Sequence, residues 1–149
     1  MFLEIKYYLQ QISFLDKEIK SLQEECDQYR SLLTSIKATD YSADRVSGGK
    51  SNDLIDRVVR YVDKNQEINR KIDELWDLKM EVSSMIDEVG KSGLIYSTIL
   101  RDRYINGKRW EVIAVEQNYT IRNIYKLHGQ ALNLLEDIYQ EKSSLKFTK

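Results

Sequence analysis

Apolar residues recur every seven positions from Ile5 onward in two interleaved series: Ile5, Ile12, Ile19, Cys26 and Leu33 in one, Tyr8, Leu15, Leu22, Tyr29 and Ile36 in the other. Lys, Glu, Gln, Asp and Ser fill most of the places between them. The spacing predicts a helix of about 30 residues, roughly 45 Å long at 1.5 Å per residue, with one apolar stripe and a solvated remainder. Such a helix is unstable alone and needs a partner. A second series runs Leu54, Tyr61, Ile68, Leu75, Val82 and Val89, with Val58, Ile72 and Ile86 in three companion places and Asn65 and Lys79 in the other two. Between the two series, residues 37–53 are small, polar or glycine and predict a loop. Two long amphipathic helices so joined are expected to fold back as an antiparallel coiled-coil hairpin over residues 1–90. Asn65, if it faces the seam, would fix its register. Ile55, Val62 and Trp76 widen the second stripe beyond what one helix covers. A further helix or a second chain is expected there, with homodimerisation through the arm the leading reading.

After Gly90-Lys91-Ser92-Gly93 the pattern shortens. It reads Leu94 to Ile105, the turn dipeptide Asn106-Gly107, Lys108 to Gln117, then Asn118-Tyr119 and a last helix from Thr120. Three helices are expected over 94–142, with residues 143–149 as a tail. Trp110, Ile113 and Ala114 give the second of these helices one inward face, where Ala114 permits close approach. Asn118 suits a left-handed helix end, and Thr120 suits the N-cap of the third helix, with Tyr119 and Ile124 placed as a hydrophobic staple. The expected fold is all-α: a long helical hairpin followed by a three-helix helix-turn-helix unit.

Composition removes several classes. The 149 residues contain no proline and six glycines, with 32% charged and 42% hydrophobic residues, which favours uninterrupted helix. One cysteine and one histidine allow neither an internal disulfide nor a His/Cys metal cluster, so no metal or cofactor is expected. Cys26 reads as a small buried apolar residue of the seam. No run approaches the roughly 20 uncharged apolar residues of a membrane span, and Glu4, Asp16 and Glu18 interrupt any signal-peptide segment. A cytoplasmic protein with no membrane partner is therefore expected. Gly49-Lys50-Ser51 looks like the tail of a phosphate-binding loop, but Asp44 stands where that motif needs glycine. His128 lacks a nearby paired Ser, Cys or carboxylate motif, so no enzyme activity is expected and the ring is read as packing, bonding locally or touching phosphate.

The net charge of -1 conceals an asymmetry: residues 94–149 carry nine Lys/Arg against six Asp/Glu, and the rest of the chain is acidic. On the last helix Ile124, Leu127, Ala131, Leu135 and Ile138 follow the helical period and are expected to face the core. Arg122, Asn123, Lys126 and Gln130 then point to solvent, with Ile121 and Tyr125 at the margin. Such a helix N-terminus offers the donors and acceptors that read base edges in a major groove, and it attracts phosphate. The candidate DNA contacts are Thr120, Ile121, Arg122, Asn123, Tyr125 and Lys126. Arg101, Arg103, Lys108 and Arg109 add charge near the preceding helix and turn, with Lys108 and Arg109 expected as clamps on backbone phosphates.

These residues carry a resemblance. Thr120-Ile-Arg-Asn-Ile-Tyr-Lys-Leu-His-Gly-Gln-Ala-Leu-Asn-Leu-Leu135, preceded by Trp110-Glu-Val-Ile-Ala114, looks like the region-four helix-turn-helix of bacterial sigma factors (sigma-70 type). Leu100-Arg-Asp-Arg-Tyr-Ile-Asn-Gly-Lys-Arg-Trp-Glu-Val-Ile-Ala114, with Tyr119 and Leu127-His-Gly-Gln-Ala-Leu132, resembles the bacteriophage late-gene transcriptional regulators of the ArpU, RinA and LtrC kind. That group also places a helical hairpin with an Asp-Arg-Val-like loop, here Asp44-Arg45-Val46, before the DNA-binding unit. The resemblance implies a late gene activator, switching on packaging and structural genes in a prophage or mobile element of a Gram-positive bacterium. Carried over by position, sigma-factor groove contacts fall on Ile121, Arg122, Tyr125 and Lys126, and core positions on Ile124, Leu127, Ala131 and Leu132. Ile121 and Tyr125 depart from the polar or basic residues usual there and suit thymine methyls or the backbone instead. Two alternatives share the same features. One is a phage DNA-packaging recognition subunit that forms a larger ring; the other is a helical adaptor that docks RNA polymerase and gains little from its basic end.

Overall fold

The computed structural model describes residues 3–40 and 50–148, with side chains for 4–35 and 52–148. Five α-helices follow one another: α1 (Leu3–Asp40), α2 (Lys50–Gly90), α3 (Leu94–Leu100), α4 (Trp110–Gln117) and α5 (Ile121–Lys146). The described residues include no strand, and the fold is all-α. Both long helices reach further into the expected loop than the apolar pattern does. Helix α1 continues to Asp40 and α2 begins at Lys50, because Thr, Asp, Lys, Ser and Asn end the apolar repeat without breaking a helix as proline would. Asp44-Arg45-Val46 and Gly49 lie outside the described residues. Helix α5 likewise runs through most of the segment expected as a tail.

The chain forms two compact units, and the division cuts through both long helices rather than falling at Gly90. One unit comprises Leu15–Glu74. Here α1 and α2 run antiparallel, as two ion pairs record: Lys71 Nζ lies 2.9 Å from Glu18 and Lys64 Nζ lies 3.8 Å from Glu25, so rising numbers on one helix meet falling numbers on the other. Ile19, Cys26 and Ile68 form the buried part of the seam. Val58 and Ile72, expected beside them, are exposed, as is Tyr29. Two helices present too narrow an interface to cover every apolar position of a widened stripe. Asn65 does not set register across the seam either. Its Nδ2 donates to the Tyr61 carbonyl one turn back on the same helix, at 3.0 Å, which satisfies the amide locally.

The other unit comprises Met1–Phe14 and Leu75–Lys149. Its larger core gathers Ile5, Leu9 and Ile12 of α1, Val82, Met85, Ile86 and Val89 of α2, Leu100 of α3, and Ala131, Leu132 and Leu135 of α5. Leu135 and Ala131 fall on the face that the helical period selects, and Ile138 is half-buried beside them. Lys146 bonds Glu81 at 2.9 Å and Lys142 pairs with Glu88 at 3.3 Å, which ties the end of α5 to α2 and accounts for the helix continuing to Lys146. A smaller cluster of Ile99, Ile113, Ala114 and Ile124 joins α3, α4 and the start of α5, with Ile95, Trp110 and Leu127 around it.

Candidate nucleic-acid interface

Helices α4 and α5 are joined by three residues, and each junction is fixed by local chemistry. Helix α4 ends on Asn118 in the left-handed conformation, φ 58°. Its N–H donates to the Val115 carbonyl at 3.2 Å, while the Tyr119 N–H donates to the Ala114 carbonyl at 3.0 Å. This pair of bonds satisfies the last carbonyls of α4 and turns the chain sharply. Thr120 then caps α5: its backbone is extended and its Oγ1 accepts from the Asn123 N–H at 3.2 Å. The buried Ala114 and Ile113 on one side and Ile124 on the other lock the two helices through the smaller core.

Because Ile124 faces inward, the opposite side of the first turns of α5 faces out. Arg122 and Lys126 are exposed, Ile121 and Tyr125 retain 39% and 49% of their accessible surface, and Asn123 is half-buried. Arg109, at the N-cap of α4, is also exposed. Among the described residues Arg109, Arg122 and Lys126 have no ion-pair partner. The candidate contacts on α5 thus share one end of the helix, with Arg122 and Lys126 exposed among them.

Lys108 behaves differently from the expectation of a phosphate clamp. Its ammonium is shared between Glu116 at 2.7 Å and Asp102 at 3.2 Å, and both partners hold its pKa above the ordinary lysine value. These two pairs brace the turn before α4. Arg103 and Arg101 are engaged too: the first donates to the Lys108 carbonyl at 2.9 Å and lies 4.7 Å from the centre of the Trp110 ring, and the second pairs with Asp87.

The turn itself departs from a regular helix end. Helix α3 widens into a π-helical turn over Arg101–Ile105, closed by the Asn106 N–H donating to the Arg101 carbonyl at 3.0 Å. Asp102 is buried there, accepting from Asn106 Nδ2 at 3.0 Å as well as from Lys108. Gly107 follows with φ +66°, a conformation that L side chains rarely adopt.

The π turn aims Tyr104 at His128 of α5. The Tyr104 hydroxyl lies 2.8 Å from His128 Nε2, and Trp110 stands edge-on to the imidazole at 4.6 Å between ring centres. His128 is buried, and burial first, then the positive charges of Lys6 and Arg103, lowers its pKa from 6.5 to about 4. Burial raises Tyr104 to about 12, so a neutral phenol and a neutral imidazole share this hydrogen bond, and the imidazole tautomer sets which of them donates. Of the roles read from sequence, packing and local bonding describe this ring, which lies buried inside the unit. Trp110 also meets the Tyr125 ring edge-on at 5.3 Å, so the same cluster that holds His128 fixes one residue of the exposed face. Sequence reasoning missed Asp102, Tyr104 and the π turn. His128, four residues after Ile124 and three before Ala131, carried a readable signal of burial in its spacing.

Among the described residues no group of three or more His, Cys, Asp or Glu is placed to hold a metal ion, and no helix is long and apolar enough to cross a membrane. A family model described as "Protein of unknown function (DUF1492)" matches residues 32–136, well over half of the chain. No curated protein and no solved structure matches.

Proposed function

The chain belongs to the DUF1492 family, and we propose that this member is a sequence-specific DNA-binding transcriptional regulator, acting in a bacterial cytoplasm as a phage-type activator of late packaging and morphogenesis genes. The observation that carries the reading is the outer face of α5. A capped helix N-terminus, with Arg122 and Lys126 free and exposed on its first two turns, is held at a fixed angle to α4 by a buried junction. A major groove accepts such a helix, phosphates on its edges pair with free guanidinium and ammonium groups, and Arg122 reaches base edges. Arg109 at the start of α4 supplies a further backbone contact, and Thr120 and Asn123 lie at the helix end that phosphate favours. Lys108, paired with Glu116 and Asp102, serves first to hold the turn. The late-gene assignment rests on the likeness to the ArpU, RinA and LtrC regulators, and host RNA polymerase is the partner through which an activator of that kind works.

The active form is a homodimer through the hairpin unit. Ile55, Val59 and Val62 recur at helical spacing along one exposed face of α2 there. Beside that stripe lie Asp56, Arg60 and Asp63, an edge of mixed sign. A second copy brings an equal apolar stripe, as a two-fold interface requires. Two DNA-reading units would then meet a symmetric or repeated site.

Footprinting on the DNA upstream of neighbouring late genes, at two salt concentrations, tests the reading. A discrete footprint is expected from the wild type, with none from the R122A/K126A double variant. Salt-sensitive binding that ignores both sequence and variant would sink it.

A further inference from the structure

The exposed face of α5 is not uniformly polar. Ile121, Tyr125 and Gly129 follow one another at four-residue intervals, so they form a strip along one side of the helix. Arg122 and Lys126 line its edge. Two features of the strip bear on what meets it from outside. Ile121 and Tyr125 leave apolar surface in water next to free cations, although the core they adjoin is complete at Ile124. Gly129 sits inside a 26-residue helix, where glycine is unfavourable relative to alanine, yet a Cβ built on it meets nothing within 4 Å. The protein has room for a side chain there and does without one.

Both features fit a close-lying apolar group supplied from outside. Tyr125 is suited to meet one, because its ring is set edge-on against Trp110, itself pinned by His128 and Arg103. The apolar group that a major groove offers is the C5 methyl of thymine. Resting on the DNA-binding reading above, we infer that the Ile121–Tyr125–Gly129 strip is a thymine-methyl reader, with the bare Gly129 letting the groove wall approach α5 closely. Arg122 and Lys126 then hold the backbone and neighbouring base edges while the strip distinguishes thymine from the other bases.

The test starts from a duplex recovered by selection with the full-length protein from a random-sequence library. That duplex is synthesised twice, with thymidine and with deoxyuridine, which removes only the methyl groups. The expected result is a loss of affinity of about three- to tenfold for the uracil duplex, near what one or two buried methyls contribute. The loss should shrink towards nothing in Ile121→Ala and in Tyr125→Ala. Each variant is compared with itself on the two duplexes, so a general loss of affinity or folding does not imitate the effect. Gly129→Ala should weaken binding to the thymine duplex without lowering stability. Equal affinity of the wild type for both duplexes, or a uracil penalty unchanged in the two variants, overturns the inference and leaves DNA binding standing. Recovery of no duplex overturns the DNA-binding reading along with it.

Discussion

The unit of residues 15–74 and the unit of residues 1–14 with 75–149 are both built from amphipathic helices, but they bury their apolar residues to different degrees. In the second unit α5 lies against parts of α1, α2 and α3, and Ile5, Val82, Ile86, Val89, Leu100 and Leu135 are fully enclosed. In the hairpin each helix has one neighbour in its own chain. Ile19, Cys26 and Ile68 are buried, while Ile55, Val59 and Val62 remain exposed and a groove of 760 Å³ opens beside Leu32 and Leu33. Heptad spacing is the same signal in both places; the number of helices around the stripe decides how much of it is covered. The unit with the complete core carries the turn-joined helix pair, where angles must be held. The unit with the incomplete one carries the face proposed to meet a second copy.

The largest expected effect separates the two units directly. Leu135→Ala should cost about 3–4 kcal/mol, because a fully enclosed leucine leaves a cavity that its neighbours on four helices cannot close. Ile68→Ala should cost about half as much, since a two-helix seam relaxes into the space. Urea unfolding of the two variants, followed by circular dichroism and by hydrogen exchange, checks the difference. Equal costs would mean that the hairpin is as tightly closed as the other unit.

A second contrast is in how the units respond to acid. The ion pairs between the two helices of the hairpin, Lys64 with Glu25 and Lys71 with Glu18, are at least partly solvated and contribute little that pH can remove. The other unit buries a neutral His128. Its folded pKa of about 4 lies below the ordinary 6.5, so the unfolded chain takes up the proton first as pH falls. The stability that the neutral ring contributes is complete above pH 6.5 and is lost between there and about 4. The loss is on the order of 2–3 kcal/mol. His128→Gln should flatten that part of the stability profile, and an unchanged slope would show that the ring is not the group responsible.

How much of this was legible in the sequence depends on the range of the interaction. The heptads located both long helices, and the 3.6-residue period put Ile124, Ala131 and Leu135 inside, because those patterns are repeated many times over. Asn118 and Thr120 announced the junction of α4 and α5, since a left-handed turn and a side-chain cap are local chemistry that few residue types supply. The division between units was not legible. It depends on Ile5, Leu9 and Ile12 packing with Ala131, Leu132 and Leu135 more than a hundred residues later, and a continuous heptad series gives no sign of where its partner changes. The site split along the same line. Arg122 and Lys126 could be placed outward by period alone, whereas Lys108 looked like any basic residue near a turn until the π-helical turn brought Asp102 to it and α4 brought Glu116. A π turn has no sequence signature comparable to a cap.

The smallest expected effect concerns two glycines of the unit that holds its angles. At Gly107 the left-handed φ of +66° makes any side chain strained although nothing lies within 4 Å, so Gly107→Ala should lose about 1 kcal/mol. At Gly129 the backbone is ordinary helix and the space is equally open, so Gly129→Ala should gain about 0.5–1 kcal/mol by removing conformational freedom from the unfolded chain. Thermal unfolding of the two variants beside the wild type reads both signs at once. A gain at Gly129 would mean that the fold itself favours a side chain there, and the bare position on α5 would then have to be explained by what approaches it. A loss would place the constraint inside the protein, in a neighbour that the open surface does not reveal, and would remove one of the two supports of the thymine-reading strip.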